Sequence, residues 1–342
     1  MIIKKIYLTF ILILFFLSHL LVGDVVTKTG TTSAKFLTIG VGSRANGIGD
    51  AFVGIANDAT AMYWNPAGIA QLKQMEFVTN YSQWIADINL TYMGLVIPLQ
   101  QYGTIGLSAT HMGIGEMEVT TEANPEGTGE MFKSGSYAIG FTYSKMLTDR
   151  FFLGGNIKYI NEYIMNCGAG AFAVDIGTLF ISPFRGIRFG VSISNFGGKM
   201  QMTGSDLLVT KDIDETIHGN NESVNAYLAT DEFDLPLLLR VGLSGDLGDP
   251  KYIRTTWAID AIHPNDNSEY LNMGVEMGFW NDVLVLRAGL KSLYMDYRDE
   301  RFSLGGGIHL PLANNIKLFV DYAYQSYQYL DQAHKYTMRI VF

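Results

Sequence analysis

The chain of 342 residues carries 24 Lys and Arg residues against 33 Asp and Glu residues, which gives a net charge of −9. This length fits two or three soluble domains or one large β-barrel, and the acidic balance argues against a nucleic-acid-binding protein, which needs a basic surface. With a single cysteine, Cys167, the chain forms neither an internal disulfide nor a thiolate zinc site. Beyond the N-terminus no apolar run reaches the ~18 residues of a membrane-spanning helix, so a helical membrane protein is excluded.

The N-terminus has the pattern of a secretory signal. Lys4 and Lys5 precede an apolar stretch over residues 6–17, and Gly23 then offers a small residue. This pattern predicts a signal peptide over residues 1–23 that is removed after Gly23. An uncleaved anchor is the alternative, but the apolar stretch is short for a spanning helix. The sequence therefore indicates an exported protein.

The next part of the chain, residues 24–74, differs from everything that follows. Residues 42–68 are rich in Gly and Ala and show no sustained alternation. Their glycines do not complete a dinucleotide-binding G-x-G-x-x-G motif, and no βαβ unit follows. Asn65 precedes Pro66 and is therefore biased towards an extended conformation. We predict a compact, irregular piece that has to lie inside protein or water, because lipid cannot satisfy its backbone.

From residue 75 onward, apolar residues alternate with polar or small ones. Met273, Val275 and Met277, for example, alternate with Gly274 and Glu276. Because successive side chains of a strand point to opposite faces, this period of two predicts strands with one apolar face. We count about fourteen segments of about ten residues, the length that a tilted strand needs to cross a bilayer. Their predicted bounds are 75–84, 88–98, 102–112, 134–145, 150–163, 169–182, 186–195, 235–246, 252–262, 269–280, 283–293, 301–311, 315–326 and 333–342.

The connections between these segments favour a barrel. Every second connection is a tight turn, whereas both long connections, 113–133 and 196–234, fall in the other set. Short turns on one rim and longer loops on the other are typical of a transmembrane antiparallel barrel. A soluble β-sandwich, whose apolar faces bury each other, is the alternative. The predicted fold class is all-β: a transmembrane antiparallel β-barrel of about fourteen strands over residues 75–342.

Charged residues in the strands show which face meets lipid. An arginine at the bilayer midplane costs about 2–4 kcal/mol, so charges on the polar face belong inside the barrel. The predicted lumen-facing charges are Arg240, Asp260, Glu276, Arg287, Asp321 and Arg339. Aromatic residues near strand ends are predicted to form interfacial girdles. These residues are Tyr81, Trp84, Tyr294, Tyr297, Tyr327 and Tyr329.

The last strand ends in an alternating series of aromatic and aliphatic residues, Tyr336, Met338, Ile340 and Phe342. This ending resembles the C-terminal signal by which outer-membrane barrels are recognised for insertion. We therefore predict a barrel of the outer membrane of a Gram-negative-type bacterium, with outer-membrane lipid and the barrel-assembly machinery as partners.

The irregular segment resembles a known family. The motifs that carry the resemblance are GSR at 42–44, GDAF at 49–52, NDA at 57–59 and WNPAG at 64–68. They are similar to the N-terminal signature of the PorV/PorQ family, relatives of the FadL fatty-acid transporters. The resemblance implies that residues 24–74 fold into the lumen as a hatch. It also implies that Asn65, Pro66 and Ala67 are the Asn-Pro-Ala motif that shapes this plug.

The resemblance implies two functional classes. PorV-like members act in type IX secretion, where they receive cargo proteins at the surface and carry them to the anchoring machinery. FadL-like members let hydrophobic small molecules pass the hatch and leave through the wall. We expect the first role, with type IX secretion components and cargo proteins as partners. The alternative is passive uptake of a hydrophobic small molecule.

Other chemistry has little support in the sequence. The histidines match no zinc motif, and the acidic residues of the two long loops match no calcium-binding loop, so solvated loops are favoured over a metal site. Ser303 and His309 are both expected in the lumen, but no nucleophile motif accompanies them. Cys167, expected in a short outer loop, is interpreted as an idle thiol. We predict a protein that is not an enzyme and that needs no cofactor and no metal.

Overall fold

A computed structural model of the protein describes residues 28–212, 216, 223–295, 298–312 and 315–342. The predicted signal over residues 1–23 and the girdle residue Tyr297 lie outside these ranges. Within them, no helix is both long enough and apolar enough to span a membrane.

Fourteen long strands, labelled β1 to β14 in chain order, form one closed antiparallel barrel. Each strand pairs with the next one along the chain, and β1 pairs with β14 to close the ring. The strands are β1 (Glu76–Gln83), β2 (Asn89–Pro98), β3 (Thr104–Gly113), β4 (Ser134–Thr148), β5 (Phe151–Ile164), β6 (Cys167–Ile181), β7 (Arg188–Gly197), β8 (Leu238–Asp249), β9 (Ile253–Pro264), β10 (Tyr270–Phe279), β11 (Leu284–Leu293), β12 (Glu300–Pro311), β13 (Lys317–Tyr327) and β14 (Ala333–Val341). The predicted all-β class and the barrel of fourteen antiparallel strands are confirmed.

The shorter elements are not strands of the barrel wall. Two α-helices precede the barrel, α1 (Ser43–Gly47) and α2 (Ala61–Trp64). The 3-10 helices are Lys35–Thr38, Pro66–Gln71, Ile85–Asp87, Gln100–Tyr102 and Ser205–Leu207. Short antiparallel pairs join Met117–Glu118 to Met131–Phe132, Met200–Gln201 to Glu232–Phe233, and Leu208–Lys211 to Val224–Tyr227, and Thr203–Gly204 pairs with β6.

The two faces of each strand differ as the alternation predicts. On β10, Asn272, Gly274 and Glu276 are buried, whereas Met273 and Met277 are exposed. The same pattern on the other strands leaves a ring of large apolar side chains on the outside of the barrel, such as Leu107, Ile139, Ile157, Ile176, Leu286 and Val320. Such an outer face suits lipid, because it offers no unpaired polar group to the hydrocarbon.

The two rims of the barrel carry different connections. The rim at which β1 begins and β14 ends is called the short-turn rim, because strands that follow one another there are separated by at most six residues; Glu76 pairs there with Val341. The opposite, long-loop rim carries the connections 114–133 and 198–237. It also carries a two-residue turn between β5 and β6, so Cys167 is the buried first residue of β6 rather than part of a loop.

The N-terminal segment, defined as residues 28–75, runs through the barrel from the long-loop rim to the short-turn rim. Near the long-loop rim, Thr32 forms a parallel bridge with Asp234. Near the short-turn rim, the helix Pro66–Gln71 packs against β4, β5 and β6. Between them, an apolar core forms around Phe52, Trp64 and their neighbours, all almost fully buried. The segment thus fills the middle of the lumen.

Candidate functional site in the barrel lumen

All six charged side chains that were predicted to face the lumen are buried. Their relative exposures are 5% for Arg240, 0% for Asp260, 1% for Glu276, 3% for Arg287, 3% for Asp321 and 8% for Arg339. A buried charge is tolerated only when partners surround it. The partners that the structure supplies come both from neighbouring strands and from the N-terminal segment.

Glu276 is the centre of the largest charge cluster. Arg287 donates to Glu276 from Nε at 2.8 Å and to Asp321 from Nη1 at 2.6 Å. Arg44 of α1 makes a two-pronged contact with the same carboxylate, at 2.9 Å from Nε and 3.1 Å from Nη2. Arg254 adds a third arginine at 2.9 Å. Since Arg44 belongs to the N-terminal segment, Glu276 ties that segment to the wall.

A second cluster joins the segment to the closing pair of strands. Arg339 of β14 lies 3.2 Å from Glu76 of β1, and the other oxygen of Glu76 accepts the N–H of Ala59 at 2.9 Å. Asp58 accepts a hydrogen bond from Nη1 of Arg44 at 3.0 Å. Burial alone would raise the pKa of Asp58, but Arg339 and Arg44 outweigh this effect and hold its pKa below the usual value.

The Asn-Pro-Ala motif lies against β6 and the rest of the segment. The side chain of Asn65 is fully buried, and its Oδ1 accepts the N–H of Ala67 at 3.2 Å, as an N-cap does. Its Nδ2 donates to the carbonyls of Val53 and Thr178, both at 3.0 Å. One amide therefore fixes the start of the helix Pro66–Gln71, a neighbouring loop of the segment and the wall.

Glycines on the inner face make room for this motif. A Cβ at Gly177 would lie 2.1 Å from Oδ1 of Asn65, and one at Gly154 would lie 2.5 Å from the backbone of Pro66 and Ala67. These distances are far below any normal contact, so side chains there would displace the segment. The close approach of the segment to β5 and β6 requires glycine at both positions.

Rings and guanidinium groups form one stack across the middle of the lumen. Arg44 lies over Phe52 at 5.4 Å, the Phe52 and Trp64 rings meet edge to face at 6.3 Å, and Arg240 lies over Trp64 at 5.4 Å. Cations over aromatic faces attract the ring quadrupole, and the effect grows where water is excluded. Arg44, at one end of the stack, lines one cavity of the lumen, and Trp64 and Arg240, at the other end, line a second one.

One of these spaces is a cavity of about 520 Å³ at the short-turn rim, called the short-turn cavity, which Arg44, Arg188 and Lys317 help to line. The other is a cavity of about 380 Å³ at the long-loop rim, called the long-loop cavity, which Arg240 and Trp64 help to line. The N-terminal segment lies between them.

The long-loop half of the lumen has its own contacts. Lys291 bridges Asp50 at 2.5 Å and Glu300 at 2.9 Å, and the buried Lys335 donates to the carbonyl of Gly40 at 3.1 Å. Apolar contacts accompany them, since Phe36 and Leu37 of the segment pack against three inward alanines of β6. These alanines are Ala169, Ala171 and Ala173.

Sequence reasoning missed several members of these clusters. Lys291 and Lys335 occupy buried, inward positions of β11 and β14, so the same alternation that singled out Arg287 could have found them. Arg44 and Asp58 had no such signal, because the segment that carries them has no period. The structure groups Glu276, Arg287 and Asp321 in one cluster, and it leaves Arg240 and Asp260 outside that cluster.

The alternating residues at the end of the final strand, Tyr336, Met338, Ile340 and Phe342, lie on its outer face. Tyr336 is 51% exposed and Phe342 47% exposed, and the Tyr336 ring lies 5.4 Å from Tyr322 of β13.

Two of the predicted girdle residues do not lie on the outer face. The Trp84 ring meets the Tyr327 ring at 5.5 Å, and Lys335 lies 5.0 Å over Trp84, so this pair belongs to the lumen side of the long-loop rim.

Ser303 and His309 do not form a nucleophile–base pair. The hydroxyl of Ser303 accepts the N–H of Gly49 at 3.0 Å, so it holds the N-terminal segment. His309 lies six positions further along β12, where its Nε2 is 3.6 Å from Asp321. In the described ranges, no group of three or more His, Cys, Asp and Glu side chains is arranged to hold a metal ion.

Solved structures with a similar fold include a FadL homologue, a toluene transporter and a monoaromatic hydrocarbon channel. A FadL homologue from Pseudomonas aeruginosa is 13% identical with a TM-score of 0.55, and the match covers 88% of this chain and 98% of that chain. The toluene transporter TodX from Pseudomonas putida is 11% identical with a TM-score of 0.54, covering 88% and 96%. The CymD monoaromatic hydrocarbon channel is 11% identical with a TM-score of 0.56, covering 89% and 97%. At these identities the likeness concerns the fold.

The fold is a closed antiparallel β-barrel that is similar to the FadL-like fold, with an N-terminal segment in its lumen. Residues 24–207 match the family described as "Type IX secretion system protein PorV", which is more than half of the sequence. The chain therefore belongs to the PorV family. No curated protein matches the chain.

Proposed function

We propose that the protein acts in type IX secretion as a surface receptor that takes up cargo proteins and hands them to the anchoring machinery. Membership of the PorV family carries this proposal. In this role the barrel resides in the outer membrane of a Gram-negative-type bacterium, inserted by the barrel-assembly machinery through its final strand. The long-loop rim is then the extracellular side. The N-terminal segment acts as a hatch that keeps the lumen shut, and the protein is not an enzyme.

The architecture of the long-loop rim supports this role. The connections 114–133 and 198–237 build their own short strand pairs beyond the wall. Large apolar side chains stand exposed on them, namely Met131, Leu208, Tyr227, Leu228 and Phe233. Exposed apolar side chains on an otherwise acidic loop surface are typical of a protein-interaction site. Meanwhile the lumen is occupied, so a partner engages the loops and not a pore.

The experiment replaces Tyr227 and Leu228 together by serine in cells that produce a type IX cargo. We expect surface-anchored cargo to fall and the cargo to be lost from affinity purifications, while heat-modifiable barrel formation stays unchanged. Tyr252→Ser is the matched control, because Tyr252 is as exposed as Tyr227 (65% against 68%) but lies at the short-turn rim. Normal cargo display in the double variant, and equally in a variant with the whole 198–237 connection shortened, would contradict the proposal.

A second candidate is passage of a hydrophobic small molecule. The observation that favours it is the apolar cluster around Phe36, Leu37 and Ala171, close to a β-bulge in the wall. The ladder between β6 and β7 shifts register between Val174 and Ile176. Ala171→Glu should reduce whole-cell uptake of a hydrophobic compound if this role operates, and it should leave cargo display untouched.

A further inference from the structure

Almost all of the net charge of the chain lies on two connections at the long-loop rim. The connections 114–133 and 198–237 together contain 13 Asp and Glu residues and 3 Lys residues, a net charge of −10, whereas the whole chain has −9. The remaining residues are therefore nearly neutral as a set. Most of the carboxylates that the structure describes on these connections are exposed, namely Glu116, Glu118, Glu122, Glu126, Glu130, Asp206, Asp231, Glu232 and Asp234.

Three lysines cannot neutralise these carboxylates. Glu116 pairs with Lys133 at 2.9 Å, but both side chains are more than half exposed, so water screens the pair. Glu118 accepts the N–H of Gly129 at 2.8 Å, a hydrogen bond that leaves its charge in place. In the described ranges no three of these carboxylates are arranged to hold a metal ion. They act together as a negative field that faces solvent.

An uncovered apolar face lies within this acidic surface. The short strands Leu208–Lys211 and Val224–Tyr227 form a hairpin in which Leu208 pairs with Tyr227. Paired residues of two strands point to the same side of the sheet, and both side chains are exposed, as is the adjacent Leu228. We call Leu208, Tyr227 and Leu228 the hairpin face. An apolar centre surrounded by a charged rim is typical of a protein–protein interface.

We propose that the long-loop rim docks a protein whose contact surface is basic, with Lys and Arg side chains around an apolar centre. This inference rests on the proposed function and names the surface that the cargo presents. Charge complementarity carries it, because an acidic partner would bring like charges against a net charge of −10, whereas a basic partner is attracted before contact. The carboxylates speed and orient the approach, and the hairpin face makes the final apolar contact.

The test measures association and dissociation rates between the full chain, purified in a neutral detergent, and a purified type IX cargo protein. The association rate should fall at least about tenfold between about 50 mM and about 500 mM NaCl, because salt screens the long-range attraction. The dissociation rate should change much less. Cargo with acetylated lysines should associate slowly at low salt as well. Cargo with guanidinated lysines, which keep their charge, should associate like the untreated cargo.

Variants of the barrel locate the negative field. Asp231→Asn combined with Glu232→Gln should slow association about threefold at low salt, because rim charges act mainly on the association rate. The matched control removes two exposed carboxylates at the short-turn rim, Asp149→Asn combined with Asp249→Asn, and should leave association unchanged. Tyr227→Ser combined with Leu228→Ser should speed dissociation and keep the salt dependence of association.

The outcomes separate this proposal from the proposed function. Cargo binding that is independent of salt, or that is unchanged by lysine acetylation, overturns the basic contact surface and leaves the receptor role standing. An equal loss of association rate in the Asp149 and Asp249 control overturns it as well, because the attraction would not come from the loops. Cargo that fails to bind the parent chain at every salt concentration contradicts the proposed function and this proposal together.

Discussion

The two halves of the N-terminal segment are held in the lumen by different chemistry. Towards the short-turn rim, Arg44 and Asp58 enter buried clusters in which every charge has a partner. Towards the long-loop rim, the buried Lys291–Asp50 pair also holds the segment, but its first residues are held by apolar contacts of Phe36 and by the Lys35–Asp266 pair, which leaves the lysine half exposed. Breaking a buried ion pair leaves a charge that water cannot solvate, whereas water solvates the charge that remains when an exposed pair is broken. The part of the segment from Arg44 to Asp58 is therefore the firm seal, and the stretch around Lys35 and Phe36 is the part that a ligand or partner displaces at small cost.

The largest effect is expected at Glu276. Glu276→Gln removes the charge that three arginines share, and it should lower the free energy of unfolding by about 3–5 kcal/mol. Urea denaturation of the folded barrel, followed by the heat-modifiable gel shift, measures this change. Glu269→Gln is the control, because Glu269 is 70% exposed and pairs with the exposed His263, and its effect should stay below about 1 kcal/mol. Equal urea midpoints for the two variants would show that the buried cluster stabilises the barrel no more than the exposed pair does.

Two adjacent glycines of β5 sharpen the same comparison. A Cβ at Gly154 would meet the backbone of Ala67 at 2.5 Å, whereas one at Gly155 would meet only the carbonyl of Asp175 at 3.7 Å. Gly154→Val should destabilise the barrel by about 1–3 kcal/mol and expose the Pro66–Gln71 helix to protease. Gly155→Val should do neither. If both variants resist protease like the parent protein, the helix is not pressed against β5.

Asn65 is expected to have the next largest effect. Asn65→Ala leaves the carbonyls of Val53 and Thr178 without their donor, a loss of about 1–3 kcal/mol. Loosening the seal should make cells more sensitive to large antibiotics, dyes or detergent. Asn166→Ala, in an exposed turn at the long-loop rim, should leave sensitivity unchanged. Unchanged sensitivity for Asn65→Ala, and for Pro66→Ala as well, would argue that the motif does not close the lumen.

The sequence predicted the strands of the barrel wall much better than it predicted the contacts of the N-terminal segment. For β10 the predicted 269–280 compares with the observed Tyr270–Phe279, because a period of two fixes both the strand and its faces. The same alternation placed Glu276 and Arg287 on the inner side. The alternation could not predict the contact of Arg44 with Glu276, because the N-terminal segment has no hydrophobic period that would show where its side chains point. Tyr327 was assigned to the wrong surface because aromatic residues near a rim occur on both faces.

Acid should weaken the seal at the short-turn side. The pKa of Asp58 lies below its usual 3.8, so its ionised form stabilises the folded protein. This contribution is present above pH 3.8 and is lost as the pH falls through the lower, folded-state pKa. Hydrogen exchange of the amides around Asp58 should rise in that range, and Asp58→Asn should remove the pH dependence. Asp149→Asn, in an exposed turn, should not. An identical acid profile for the parent and Asp58→Asn would assign the effect to other carboxylates.

The smallest effect is expected at Lys35. Lys35→Gln removes an ion pair with Asp266 at 2.5 Å, but the lysine side chain is 50% exposed, so water replaces the partner. The barrel should lose at most about 1 kcal/mol. Protease should nevertheless cut more readily within residues 28–41, because Thr32 then remains the contact of the segment to Asp266. Salt should reproduce the effect in the parent protein, since an exposed pair is screened and a buried one is not. A loss at Lys35 as large as that at Glu276 would mean that the segment is sealed at both ends.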